Sequence, residues 1–243
     1  MDETTIKATI IILHGRKTIL GGKKLKTPEL IVPDNGSGAA GCTAAFTISV
    51  SGDVAPPFLV VEGGKEGHAF VMVSHADGGR PDTIPLSYRL QDGAVVSRRT
   101  QPGFDRSIFD VFALHFAKFA MNFYRYESKI LALDGAEVHL SPTGLTRLLA
   151  AGVHVFVEPS KISHMLQALD SPTSFGRFQP GLRGCVLVLS HSCVIAKRAL
   201  SVLDLVECVG MAADTAFTRD SLVSAFKRVG MWPLDPIKVS IEE

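Results

Sequence analysis

The sequence predicts an α/β fold, a mixed sheet flanked by helices. Three observations carry this. An apolar pair of segments, 44–50 and 57–62, is separated by the turn signal Ser51-Gly52-Asp53 and reads as an antiparallel hairpin. A helical face follows, with Ile108, Phe109, Phe112, Phe116, Phe119 and Phe123 recurring at steps of one, three and four. A strand–helix–strand unit then spans residues 129–157, which implies two parallel strands.

Each element has local signals. Residues 7–13 (KATIIIL) are β-branched and strand-like, and residues 21–41, rich in Gly, Lys and Pro, read as loop. Residues 68–73 form a further strand candidate, and 76–103 look irregular. Asp105 is placed to cap the aromatic helix, whose apolar stripe is core rather than a binding surface. The strand 129–133 (KILAL) ends at Asp134-Gly135. Ser141-Pro142 starts a helix, with Ser as cap and Pro at its first position, and Gly152 ends it. Strand 153–157 (VHVFV) follows. Residues 194–210 look helical, and 218–229 form a helix capped by Thr218. Trp232 is expected to act as a packing anchor.

Composition narrows the function classes. Of 243 residues, 46% are hydrophobic and 20% charged, an ordinary globular balance that argues against disorder. The net charge of +1 lacks the basic excess common in strong nucleic-acid binders. A basic stretch (Arg16, Lys17, Lys23, Lys24 and Lys26) reads first as a solvated loop. Cys42, Cys185, Cys193 and Cys208 suit neither a zinc site nor a disulfide framework, so free thiols are expected. No apolar run has the length a membrane span needs, and the polar, acidic start does not resemble a signal peptide. An intracellular protein without a membrane partner is expected.

Active groups in sheets with parallel strands sit at the strands' carboxyl ends. Asp134 occupies one such end, and the segment leaving the next strand delivers Asp170. Taken alone, Asp134 reads equally as a cap or turn former. Two neighbouring carboxylates repel, and a hard cation such as Mg²⁺ relieves that repulsion.

The stretch LALDGAEVHLSP is similar to the L-L-D-G-x-x-S-H-L-T-P stretch of DDE superfamily endonucleases, the pogo, jerky and centromere-protein-B relatives among mariner-like transposases. GVHVFVEPSKISHMLQALDSPTSFG resembles that family's P-P-H-T-S-H-x-L-Q-P-L-D-x-x-x-F-G, and residues 135–169 between the two aspartates suit its spacing. Upstream, FTISVSGDVAPPFLVVEGG resembles the family's hairpin, and PGFDRSIFDVFALHF its aromatic helix. FTRDSLVSAFKRVGMWPLDPIKV resembles its closing segment. Five blocks in order cover nearly the whole chain.

The resemblance implies an RNase H-like fold and DNA strand cleavage and transfer with Mg²⁺ or Mn²⁺. It implies a third acid in a motif like N-x-D-E-T, a position Asp2 takes in MDET. Asp2, Asp134 and Asp170 are then the catalytic and metal-ligating residues. His139, His164 and Gln167 are support residues behind them. Each histidine also has the plainer reading of a hydrogen bond to a loop carbonyl or carboxylate. Lys23, Lys24, Lys26, Lys161 and Arg177 are candidate phosphate contacts, as is Arg183. Residues 1–180 correspond to the family's core, expected to be N-terminally incomplete, and 181–243 to a helical C-terminal extension of the same domain. DNA, the nucleus and a possible homo-oligomer are the implied partner, location and assembly. The alternative is a catalytically inactive, transposase-derived nucleic-acid-binding protein. One departure is structural: Pro180 and Gly181 predict a short or displaced helix after Gly176.

Overall fold

The computed structural model describes residues 2–7, 41–62, 69–72, 93–99, 103–123, 129–158, 167–198 and 200–239. Among the described residues, seven strands form two sheets. The larger joins β1 (Asp2–Lys7), β2 (Gly41–Phe46), β3 (Phe58–Glu62), β4 (Ala69–Met72) and β5 (Val95–Arg99) in the order β1-β2-β3-β5-β4. The smaller pairs β6 (Lys129–Leu133) with β7 (Val153–Val157) in parallel. The fold is mixed α/β, with helices flanking both sheets.

The expected hairpin is present. β2 and β3 are antiparallel, with Ala45 opposite Phe58 and Cys42 opposite Val61, and an isolated bridge between Ile48 and Val54 carries the ribbon toward its turn. Gly52 turns the chain at φ 87°, a conformation in which glycine meets no Cβ penalty. Of the strand expected at 7–13 only Lys7 is described, as the last residue of β1; residues 8–13 lie outside the described part, as do 21–40 and 76–92. The stretch expected to be irregular contains β5, which runs parallel to β3 and buries Val95 and Val96. Two β-branched residues among Gly, Pro and Arg are a weak strand signal; tertiary pairing completes it.

Strand alternation sends β2 and β3 side chains to opposite faces. Ala44, Phe46, Leu59 and Val61 pack on the helical layer formed by α3 (Phe175–Ile195) and α4 (Val202–Ala216). Ala45, Phe58 and Val60 face α1 (Arg106–Phe123) and β6. The hairpin is therefore the middle of a three-layer sandwich, and its near-continuous apolar sequence follows from burial on both sides.

Helix α1 starts where the sequence places it, with Asp105 Oδ1 accepting from Ile108 N at 2.9 Å. Its stripe is core: Phe109, Phe112 and Phe116 stack in succession with centroids 6.1 and 6.0 Å apart. Helix α2 (Pro142–Ala150) has Pro at its first position and ends before Gly152 at φ 71°. Ser141 holds the N-cap position, but its side chain makes no capping hydrogen bond. Its hydroxyl donates to Asp110 Oδ1 at 2.5 Å, because α1 offers a charged acceptor. Helix α5 (Arg219–Arg228) is capped by Thr218, whose Oγ1 accepts from Ser221 N at 3.3 Å. A short helix, α6 (Pro236–Val239), follows.

Four expectations are corrected. The helix after Gly176 is not short: α3 runs 21 residues through Pro180. Pro180 forfeits only its own N–H, whereas Phe175, Phe178, Leu182 and Val186 bury a continuous face. Position 180, expected as a boundary, lies inside this helix. The helix expected over 194–210 is interrupted. α3 ends at Ile195, and α4 begins with a capping box in which Ser201 Oγ accepts from Asp204 N and the Asp204 carboxylate accepts from Ser201 N. Trp232 is 60% exposed and anchors nothing in the core.

The four cysteines are free thiols, as expected, and burial pushes Cys42 and Cys208 up to about 12. No described helix is long and apolar enough to cross a membrane.

Gly144 marks the tightest helix contact on this face. A Cβ there would lie 2.7 Å from the Phe109 ring. Gly144→Ala should therefore lower stability by about 1–3 kcal/mol, despite alanine's better helix propensity. Urea denaturation checks the sign; a stabilised variant would mean that the ring yields freely.

Candidate functional site: an acidic edge at the end of the parallel strands

The site sits at the carboxyl end of the β6–β7 pair. Leu133 and Val157 are opposite each other, and the ladder continues one step, with Glu158 N donating to Leu133 O at 2.8 Å. Asp134 and Glu158 thus leave adjacent parallel strands side by side. Asp170 stands in the turn ahead of α3, where its N–H donates to Gln167 O at 3.2 Å.

Asp134 is half-buried and held by local bonds. Its Oδ1 accepts from Ala136 N at 3.1 Å and faces His139 Nδ1 at 2.5 Å. Burial alone would raise this carboxyl. The hydrogen bond and charge of His139, with the Ala136 N–H, outweigh it and hold Asp134 below the usual carboxylate range. His139 is 2% exposed, on a 3₁₀ turn (Glu137–Leu140), and lies 5.4 Å from the Phe109 ring and 6.0 Å from Phe104. Its contact with Asp134 is the hydrogen bond to a carboxylate of the plainer reading, and Phe104 and α1's Phe109 flank its ring.

Glu158 was not anticipated as a site residue. It is 2% exposed, and its Oε2 has no hydrogen-bond partner among the described residues. Burial pushes its carboxyl up to about 7, and the nearby charges of Asp134 and Asp170 push the same way. This coupling places Asp134 and Asp170 within electrostatic reach of Glu158. Gln167, also buried, lies close enough to favour the Glu158 anion, yet its Nε2 reaches hydrogen-bond geometry with nothing described. A signal was available in the sequence: an acid directly after a strand, parallel to the one ending at Asp134.

The remaining expected residues stand on other elements or lie outside the described part. Asp2 opens β1 opposite Phe46, with only its backbone described. Arg177 and Arg183 are exposed on α3. Lys23, Lys24, Lys26, Lys161 and His164 lie outside the described residues.

The residues in place do not fit a divalent cation as they stand. Among the described residues, no group of three His, Cys, Asp or Glu is arranged to hold a metal ion. One Asp134 oxygen is occupied twice over, and Glu158 is half-protonated near neutrality.

A cavity of about 530 Å³ opens beside Glu158. Its walls include Ile48, Phe116, Phe119 and Ile130, with Glu158 and Gln167 at the polar side.

The raised Glu158 carboxyl has a signed consequence. The folded state holds this proton up to about pH 7, whereas an unfolded glutamate releases it near 4.5. The group's stabilising contribution is complete below 4.5 and is lost as pH rises through 7. Glu158→Gln should therefore raise Tm at pH 8, by a free energy on the order of 1–3 kcal/mol, with little change at pH 4. Thermal melts of both proteins across this range test it; equal melting at pH 8 would place the carboxylate in water.

Comparisons with protein-family models, curated proteins and solved structures gave no match to this chain.

Proposed function

We propose that this chain is a DDE-endonuclease-type domain of RNase H-like architecture, derived from a transposase and associated with DNA in the nucleus, whose acidic edge is not a ready metal centre. The observation that carries the reading is the placement of Asp134 and Glu158 at the carboxyl ends of two adjacent parallel strands, with Asp170 in electrostatic reach. The antiparallel run β1-β2-β3 and the later parallel pair support the architecture. The order of the five sequence blocks supports the family. Against a working centre stand the commitment of Asp134 to His139 and Ala136 and the preference of Glu158 for its proton.

DNA association of this kind rests on phosphate contacts, so it weakens steeply with salt. Arg177 and Arg183, exposed on α3, are the described candidates.

A second reading is favoured by one observation. Glu158 feels both Asp134 and Asp170, and clustered carboxylates of this sort are what a divalent cation relieves. On that reading Asp2, Asp134 and Asp170 carry Mg²⁺- or Mn²⁺-dependent strand cleavage.

One experiment separates the two. Mg²⁺ and Mn²⁺ are titrated into the purified chain, Asp134→Ala and Asp170→Ala, following Tm and the nicking of supercoiled plasmid. The proposal expects DNA binding that falls with salt, no nicking, and no metal-dependent rise in Tm. Metal binding at millimolar or tighter, lost in both variants and accompanied by nicking, would establish the cleavage reading instead.

A further inference from the structure

Three of the four thiols lie on the two helices that cover the Phe46 face. Cys185 and Cys193 are on α3, and Cys208 is on α4. These helices run antiparallel. Near their connection, Arg198 pairs with Asp204 at 2.6 Å. Farther along, Gly181 meets Ala212: a Cβ on Gly181 would stand 4.0 Å from the Ala212 Cβ.

That contact fixes the register. One turn on from Gly181 is Cys185, and one turn back from Ala212 is Cys208. In antiparallel helices both steps run the same way along the interface, so the two cysteines come opposite each other. A disulfide needs a Cβ separation of roughly 3.5–4.5 Å, which is the spacing the helices have one turn away. The thiols also sense each other. Burial pushes Cys208 up to about 12, and the nearby Cys185 pushes the same way. Both side chains belong to one packed cluster, with Cys208 buried inside it and Cys185 at its half-buried margin. Cys193 is two turns farther on, about 12 Å along α3, where Asp204 and Arg198 act on it. Cys42 is on β2, and burial alone shifts it.

We propose that Cys185 and Cys208 are a redox-responsive dithiol, which hydrogen peroxide converts to a disulfide that staples α3 to α4. Cys185, the half-buried member, is the one an oxidant reaches. Its thiolate sulfur attacks the peroxide; the O–O bond breaks, an S–O bond forms, and the leaving hydroxide takes up a proton as water. Cys185 is then a sulfenic acid. The Cys208 sulfur attacks the Cys185 sulfur; the S–S bond forms, the S–O bond breaks, and the oxygen leaves with the Cys208 proton as a second water. Two thiols are oxidised and one peroxide is reduced to two waters. Burial keeps Cys208 protonated, so the second step is the slower one. The staple closes the loop between residues 185 and 208 and restricts the unfolded chain, so the oxidised protein resists unfolding. The inference stands on the helix register and does not depend on the proposed function.

The test treats the folded, reduced chain with hydrogen peroxide and reads free thiols, intact mass, disulfide-linked peptides and Tm. The expected result is the loss of two thiols and two hydrogens in a monomer, with Cys185 linked to Cys208. Tm should rise by roughly 5–10 °C, reversed by dithiothreitol. Cys193→Ser should keep both the link and the rise. Cys185→Ser, at a half-buried position, should lose both, and its Tm before oxidation confirms that it folds. Four results would overturn the assignment: Cys193 linked to Cys208; a disulfide between two chains that grows with protein concentration; oxygen added at Cys185 without a link, which would mean that the helices hold the sulfurs apart; or a Cys185–Cys208 link that leaves Tm unchanged, which would remove the staple.

Discussion

Burial of the β2–β3 hairpin on both faces is the constraint on which the remaining structure depends. Phe46 points one way and meets Phe175, Phe178 and Phe217 edge-on, with centroids 6.3, 5.2 and 5.0 Å away. Phe58 points the other way and meets Phe104 and Phe112. Each buried phenylalanine contributes about 1.5–3 kcal/mol from area alone, with edge-to-face contacts adding to it. Helices on both sides are thereby tied to one two-stranded ribbon. α3 and α4 pack on the Phe46 face, and α1 packs on the Phe58 face.

The acidic edge inherits its geometry from that arrangement. α1 packs on the hairpin, and its Phe109 and Phe104's ring then hold His139, which holds Asp134. A carboxylate beside an apolar core would otherwise favour its proton, as Glu158 does. Two acids leaving neighbouring strands thus acquire opposite preferences. One has a buried partner that stabilises its charge, and the other has only burial and like-charged neighbours. A cluster divided in this way is suited to holding a shared proton, and this is why its capacity for a cation is not given by the mere presence of three acids.

Much of the fold was legible because its signals are local. The 3.6-residue recurrence of phenylalanine in α1, the caps Asp105 and Thr218, and the glycines at 52 and 152 each act within a few residues. What escaped the sequence was decided at longer range. Pro180 looks like a helix breaker, yet the buried face from Phe175 to Val186 outweighs one missing hydrogen bond. Ser141 looks like a cap until Asp110 comes within reach. Trp232, large and apolar, looks like an anchor, but it stays largely exposed. For the site, Asp134 and Asp170 were visible from their motif stretches, whereas Glu158 gained its meaning only when β7 was set beside β6.

The sequence by itself determined the element types, the hairpin, the parallel pair and the position of Asp134 at a strand end, because periodicity and turn chemistry are properties of neighbouring residues. Tertiary structure alone decided that Glu158 comes within electrostatic reach of Asp134 and Asp170, and that a cavity lies beside it. The reason is physical. Strand pairing and carboxyl protonation depend on which groups approach through space, and a linear pattern does not carry those distances.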